Sequence, residues 1–135
     1  MSGPAGNAPR RLLLDTHVFL WAITADARLS ERAQQAFESE NLLLSVASIW
    51  EIVVKHQLGR LALPQPPSQF LPQQLERNAI GILPVRARHV LRLESLPFHH
   101  KDPFDRLIAA QCLEEEIGVV TDDMRMAMYG VGAIW

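Results

Sequence analysis

Acidic residues from four segments of the chain stand where their carboxylates could act together. Asp15 follows the apolar run RRLLL, Asp122 and Asp123 follow GVVT, and Glu51 and Asp105 lie in segments with helical spacing of apolar residues. A cluster of carboxylates repels itself unless cations neutralise it, and hard oxygen ligands favour Mg²⁺ or Mn²⁺ over zinc. Mg²⁺ held in this way keeps several waters, so it can bind a phosphate oxygen and also supply a nucleophilic water. The residue types therefore predict phosphodiester hydrolysis, provided that the fold brings the acids together.

The elements that must position these acids alternate between strands and helices. Strands are predicted at residues 10–15, 41–45, 79–85, 118–123 and 131–135. Helices are predicted at residues 16–23, 29–39, 45–59 and 86–96, and a further helix follows the Asp102 cap. This alternation implies a three-layer α/β/α sandwich around a central parallel sheet of about five strands. In open parallel sheets ligands bind beyond the carboxyl ends of the strands, which is where Asp15 and the pair Asp122 and Asp123 would lie.

The stretch RLALPQPPSQFLPQ, residues 60–73, contains four prolines. Proline has no backbone N–H and fixes its own φ, so such a density predicts a loop that redirects the chain. Whether a short helix follows this loop is left open.

Each acid also has an interpretation that needs no catalysis. Asp15 could end a strand in a polar turn, and Glu51 could pair with Lys55 one helical turn later. Asp102 before a proline is a good helix N-cap, which leaves Asp105 at the third helical position, where an acid favours the helix dipole. The two aspartates after the fourth strand equally fit a turn. The acids alone therefore do not decide the function.

Composition bounds the class of protein. The chain has 135 residues, 48% hydrophobic and 21% charged, which predicts one globular domain at residues 11–135 after a disordered tail at residues 1–10. A single cysteine and no apolar stretch long enough for a membrane span favour a cytoplasmic protein. The net charge of −2 argues against a large basic surface, but bound divalent cations would reverse its sign and a nuclease is not excluded.

Four segments in order carry a resemblance to a known family: LLLDTHVFLW, LSVASIWEIVVKHQLGRLAL, HKDPFDRLIAAQCLEE and VVTDDMRMAMYGVGAIW. Together they resemble a PIN-domain ribonuclease of the VapC type, the toxin of a VapBC-type (type II) toxin–antitoxin pair. The resemblance covers nearly everything after residue 11. It implies a PIN-like fold and a metal-dependent endoribonuclease that inhibits translation.

The resemblance also implies roles for residues at matching positions. Asp15, Glu51, Asp105 and Asp123 match the family's acids and are expected to be catalytic and to bind metal, which would be Mg²⁺ with Mn²⁺ as a possible substitute. The expected partners are a cognate antitoxin, an RNA substrate and a second copy of the chain, with no membrane.

A second tier of residues lies beside the expected ligands: Asp102, Asp122, Thr16, Ser45 and Thr121. The two aspartates could reach a metal through water, and the hydroxyls could hold a carboxylate, a phosphate or a water. Ser45 equally fits a helix N-cap. Of the five histidines, which lack metal-ligand spacing, His17 is expected to lie nearest the site.

Three other functions compete with a toxin nuclease. An aspartyl-phosphate phosphatase with Asp15 as nucleophile usually needs a second aspartate two residues later, where this chain has His17. A phosphoacceptor signalling domain needs paired acids after the first strand and a lysine after the last, and neither is present. A non-catalytic RNA-binding PIN module, or an RNA-processing nuclease outside a toxin–antitoxin pair, remains as the alternative.

Overall fold

The computed structural model describes residues 8–135 of the chain. Its strands are β1 (Arg11–Leu14), β2 (Asn41–Ser45), β3 (Gly81–Leu83), β4 (Gly118–Val120) and β5 (Ala133–Ile134). Its α-helices are α1 (Thr16–Ile23), α2 (Glu31–Ser39), α3 (Val46–Gln57), α4 (Pro67–Arg77), α5 (Ala87–Arg92) and α6 (Pro103–Glu115). Short 3₁₀ helices span Leu93–Ser95 and Met124–Tyr129. Of the predicted N-terminal tail, residues 1–7 lie outside the described residues, and the Arg10 side chain forms an ion pair with Glu40.

The five strands form one sheet in the order β3-β2-β1-β4-β5, and every neighbouring pair is parallel. Side chains of successive strand residues point to opposite faces of the sheet. Leu12 and Leu14 of β1 accordingly join a core with residues of α1, α2 and α4, whereas Leu13 joins a second core with residues of α6. Because both faces are covered by helices, the predicted α/β/α sandwich with five parallel strands is confirmed.

Gly118 permits the close approach of the chain that leads into β5. A Cβ atom at this position would lie 2.9 Å from the carbonyl oxygen of Gly132, closer than side chains tolerate. The same carbonyl accepts a 2.8 Å hydrogen bond from the backbone N–H of Val119. A residue without a side chain is therefore required for β5 to pair with β4.

Every strand except β2 is shorter than predicted. Strand β3 ends before Pro84, which cannot donate to a ladder, and β4 ends at Val120, although the backbone N–H of Thr121 still donates to the carbonyl of Ile134. The predicted helix at residues 86–96 is broken at Arg92, where α5 gives way to a 3₁₀ turn. The Ser30 side chain accepts from the backbone N–H of Ala33, which confirms the predicted cap of α2.

The loop prediction for residues 60–73 is wrong from Pro67 onward, where α4 begins. Proline at the first helical position loses nothing, because that N–H has no partner within the helix. Phe70, Leu71 and Leu75 then bury the inner face of the helix. Pro72 removes one internal hydrogen bond, but it lies on the exposed side where water reaches the freed carbonyl. Burial of three large side chains therefore outweighs the local signal of the prolines.

Between residues 8 and 135, no helix combines the length and the apolar character needed to cross a membrane.

Candidate active site

Asp15 is fixed at the carboxyl end of β1 by the neighbouring strand β4. Its backbone N–H donates to the carbonyl of Val120 over 3.1 Å, and its Oδ2 accepts a 2.6 Å hydrogen bond from the Thr121 hydroxyl. Asp15 occupies the N-cap position of α1, yet its side chain makes no capping bond there. The side chain is buried, with 2% of the residue exposed. A simple turn or capping role does not account for a carboxylate held in this way.

Three of the four principal acids line one cleft of about 340 Å³ beyond the carboxyl end of the sheet. Asp15 comes from β1, Glu51 from the middle of α3, and Asp105 from the first turn of α6. The parallel sheet brings the start of α1 and α3 to one edge, and the loop before α6 returns to that edge. Three basic side chains, those of His17, Lys55 and Arg60, line the same cleft. The structure therefore brings together acids that lie 90 residues apart in the sequence.

Burial and the neighbouring carboxylates both disfavour the ionised form of Asp105. Burial raises the pKa of the Asp105 carboxyl to about 6, and the charges of Asp15 and Asp102 act in the same direction. Glu51 is partly neutralised, since its Oε2 lies 2.6 Å from Nζ of Lys55. This is the helical ion pair expected from the spacing, but Glu51 is buried rather than solvated. The cleft thus has an excess of carboxylate charge that the protein itself does not fully compensate.

The His17 side chain places a positive charge beside Asp15. Its Nδ1 lies 3.4 Å from Oδ1 of Asp15, and its Nε2 lies 2.5 Å from Oδ1 of Asp122. Burial alone lowers the pKa of His17, but hydrogen bonds and charges of the two aspartates outweigh burial and raise it to about 9. The imidazole is therefore protonated at neutral pH. The expectation that His17 lies nearest the site among the histidines agrees with its place in the cleft lining.

Asp123 lies outside the cleft lining and is held by other side chains. Its Oδ2 accepts from His100 Nε2 at 2.7 Å and from Arg125 Nη2 at 2.9 Å, and its Oδ1 accepts from the backbone N–H and Nε of Arg125. Hydrogen bonds from Arg125 outweigh burial and hold the pKa of Asp123 well below its usual range. Its backbone N–H donates to Thr121, the residue that also binds Asp15. Asp123 is thus linked to the acid cluster through one hydroxyl.

The second-tier residues divide into supports and caps. Asp102 accepts from the backbone N–H of Phe104 at 2.8 Å, which confirms the predicted cap of α6, although Asp102 also lines the cleft. The Ser45 hydroxyl accepts from the N–H of Ala47, so the capping interpretation describes its contacts. Ser45 also donates to Gln111.

The remaining two hydroxyls contact different partners. The Thr16 hydroxyl donates to that of Ser48 over 2.8 Å and stays in the cleft lining. Thr121 is the hydroxyl that holds a carboxylate, that of Asp15.

The donor chemistry of the cleft fits a hard divalent cation. All three principal donors are carboxylates, the hard oxygen ligands that Mg²⁺ prefers, and the charges of Asp15, Asp102 and Glu51 add to burial in raising the pKa of Asp105. Within the described part of the chain, no group of three His, Cys, Asp or Glu side chains is already arranged as an assembled metal site. The carboxylates thus line one cleft without being preassembled around a cation.

Arg60, His100 and Tyr129 are site residues that sequence reasoning missed. Arg60 follows Gly59, whose φ of +73° ends α3, and the turn brings the arginine back to the cleft. It lies within the segment LSVASIWEIVVKHQLGRLAL, so a signal was present. His100 contacts Asp123, and Tyr129 contacts His100 from a segment 29 residues away, so no local sequence pattern predicts these contacts.

Comparison with known proteins identifies the family. The model of the PIN domain matches residues 12–131. The chain is 36% identical over 118 residues to Ribonuclease VapC22 of Mycobacterium tuberculosis, a match that covers 85% of this chain and 88% of the relative. It is 34% identical over 67 residues to Ribonuclease VapC16 of the same organism, covering 50% of this chain and 48% of that protein.

Two solved structures share the fold. The VapBC2 complex of Rickettsia felis, crystallised with a promoter DNA fragment, has a TM-score of 0.67 at 14% identity and covers 91% of this chain and 96% of its own. FitAcB of Neisseria gonorrhoeae has a TM-score of 0.64 at 19% identity, with coverages of 90% and 95%. The chain belongs to the PIN-domain family.

Proposed function

We propose that this chain is a metal-dependent endoribonuclease that hydrolyses RNA phosphodiester bonds, and that it is the toxin of a type II toxin–antitoxin pair that inhibits translation. The observation that carries the chemistry is the convergence of Asp15, Glu51 and Asp105 in one cleft beside three basic side chains. The 36% identity to a ribonuclease over most of the chain supports RNA as the substrate. The toxin role is supported by that VapC relative, and the fold shared with VapBC complexes is consistent with it.

Different residues of the chain would bind the metal, attract the RNA and orient the carboxylates at the scissile phosphate. Asp15, Glu51 and Asp105, with Asp123 as the fourth acid, would hold a Mg²⁺ or Mn²⁺ ion, which supplies charge neutralisation at the phosphate and a bound water of lowered pKa. Arg60 and Lys55 face the same cleft and would attract the RNA backbone. Thr121 keeps Asp15 oriented through its 2.6 Å hydrogen bond. His17 neutralises part of the charge of Asp15 while no metal ion is bound.

The expected partners are a cognate antitoxin, RNA and a second copy of this chain, in the cytoplasm where translation occurs. A basic antitoxin side chain placed in the cleft would neutralise the acids in place of a metal and so block cleavage. Full nuclease activity in a saturated antitoxin complex would contradict this form of inhibition.

A non-catalytic RNA-binding module is the less favoured alternative. Such a module would gain nothing from enclosing Asp15, Glu51 and Asp105 in one cleft, where burial and the neighbouring carboxylates disfavour the ionised form of Asp105. Every acid that the family pattern implies is also present in this chain.

The proposal is tested by incubating total RNA with purified, antitoxin-free protein in Mg²⁺, in Mn²⁺ and in EDTA. Asp105→Asn removes one cleft carboxylate, and Glu76→Gln on the exposed side of α4 is the matched control. We expect cleavage by the wild type and the control with either metal, and none in EDTA or with Asp105→Asn. A folded wild type that cleaves no RNA with either metal would instead favour the binding module.

A further inference from the structure

His100 is a buried histidine that the proposed chemistry does not use. It lies in the loop before α6, two residues ahead of the Asp102 cap, and is 3% exposed. Its Nε2 lies 2.7 Å from Oδ2 of Asp123, and its Nδ1 lies 2.9 Å from the hydroxyl of Tyr129. A carboxylate can only accept, so Nε2 carries the hydrogen of the first bond. The ring also stacks on that of Tyr129, with 5.5 Å between centroids and 14° between planes.

Asp123 is held by one buried partner and one exposed partner. A carboxylate has about four acceptor sites, and the contacts from His100 and Arg125 occupy all of them. The Arg125 side chain is 59% exposed, so water can replace it without loss of packing. His100 is enclosed and stacked, so it cannot leave without disturbing its surroundings. If Asp123 turns an oxygen towards a cation, Arg125 is the contact that yields.

The same residues connect the two ends of the acid cluster. The Asp123 backbone donates to the Thr121 hydroxyl over 3.0 Å, and that hydroxyl donates to Asp15 over 2.6 Å. The series of contacts from Tyr129 through His100, Asp123 and Thr121 therefore ends at the carboxylate of Asp15, directly after β1. It also ties the loop that carries α6, and hence Asp105, to the turn after β4.

We propose that His100 and Tyr129 are positioning residues that fix Asp123 relative to Asp15, and that they thereby set the affinity of the acid cluster for a divalent cation. This rests on the metal-dependent activity proposed above. Groups that orient metal-binding carboxylates change metal affinity by about 10- to 100-fold when they are removed. Neither residue touches the substrate in this role, since both act through Asp123.

The test is isothermal titration calorimetry of the full chain with MnCl₂, without RNA. We expect His100→Ala to weaken Mn²⁺ binding by about tenfold or more. His100→Gln should recover most of the affinity, because its amide can still donate to Asp123. Tyr129→Phe keeps the stacked ring but loses the hydroxyl, so a loss of a few fold is expected. His99→Ala is the matched control, since His99 packs edge-on against Tyr129 without contacting Asp123.

A double variant separates positioning from general loss of structure. In an Asp123→Ala background, His100→Ala should change Mn²⁺ affinity no further, because the residue through which it acts is gone. Wild-type Mn²⁺ affinity in a folded His100→Ala protein would overturn the proposal. If His100→Ala does not fold, wild-type Mn²⁺ affinity in both Tyr129→Phe and His100→Gln would overturn it. A wild type that binds no Mn²⁺ would also overturn it. A wild type that binds Mn²⁺ but cleaves no RNA would contradict the proposed nuclease alone.

Discussion

Asp105 is the acid of the cleft whose ionisation the fold opposes. In an unfolded chain its pKa is near 3.8, and in the folded protein burial and the charges of Asp15 and Asp102 raise it to about 6. The folded state therefore binds the proton more tightly than the unfolded state. Stability from this group is complete below pH 3.8 and is lost as the pH rises through 6. At neutral pH and without metal, the ionised Asp105 therefore lowers the free energy of unfolding.

Replacement of Asp105 by asparagine should consequently stabilise the metal-free protein. We expect Asp105→Asn to raise the free energy of unfolding at pH 7.5 by about 1 kcal/mol, a figure reduced for solvent screening because the group is only half-buried. The gain should vanish near pH 4, where the wild-type carboxyl is protonated. Urea titrations in EDTA across this pH range measure the difference.

The control for that measurement is Glu31→Gln. Glu31 is also an acid in the first turn of a helix, but it lies on the exposed face of α2, outside the cleft. Its removal should give no gain that grows with pH. A gain for Asp105→Asn that is the same at pH 4 and pH 7.5 would show that charge in the cleft is not its cause.

At the scale of elements, the start of α6 separates two roles that the sequence places three residues apart. The carboxylates of Asp102 and Asp105 both line the cleft, and Asp102 in addition caps the helix through the N–H of Phe104. The proline between them fits the first helical position, which fixes the frame of both carboxylates. The helix thus begins at a residue that stabilises it and presents the next acid to the site.

Loss of the cap should therefore affect stability more than chemistry. We expect Asp102→Ala to cost about 1 kcal/mol of unfolding free energy, as is typical of a lost N-cap, and to keep most of its cleavage activity. Thermal unfolding and a cleavage assay on the same sample measure both. Ser30→Ala removes the cap of α2 away from the cleft and should have a similar cost. Lost cleavage at unchanged stability would assign Asp102 to the metal site instead.

At the scale of the whole molecule, a chain of net charge −2 must attract a polyanion through local rather than overall charge. Arg60 is suited to this because it lines the cleft, and no carboxylate in the described part of the chain lies within ion-pair distance of it. Lys55, by contrast, is paired with Glu51. The free arginine charge is thus the one most available to an RNA phosphate.

Arg60→Ala should therefore change how RNA binding depends on salt. Each phosphate contact on a single strand contributes about 0.7 to the slope of log affinity against log salt, so the slope should fall by roughly that amount. Fluorescence anisotropy with a labelled single-stranded RNA in the cleavage-deficient Asp105→Asn background measures it. Arg77→Ala, at the exposed end of α4, should leave the slope unchanged. An equal slope for both variants would remove Arg60 from the RNA contact.

The types of most elements, and the positions of the principal acids along them, follow from local sequence patterns. Apolar runs, helix caps and strand ends are local features, so β1 before Asp15 and the cap of α6 could be predicted from a few neighbouring residues. Four segments of the sequence also sufficed to identify the family, which the PIN match to residues 12–131 confirms. The exception among the elements is α4. Its prolines favour a loop, but the burial of Phe70, Leu71 and Leu75 in the core stabilises a helix.

Which side chains contact one another depends on the tertiary structure. Thr121 and Asp15 are 106 residues apart, and their hydrogen bond exists because β4 lies beside β1 in the sheet. The engagement of Asp123 by His100, and the return of Arg60 to the cleft, likewise depend on packing between distant segments. A local pattern carries no information about such partners, because the burial of these side chains, their contacts and the resulting pKa values arise only when distant segments pack together in the folded chain.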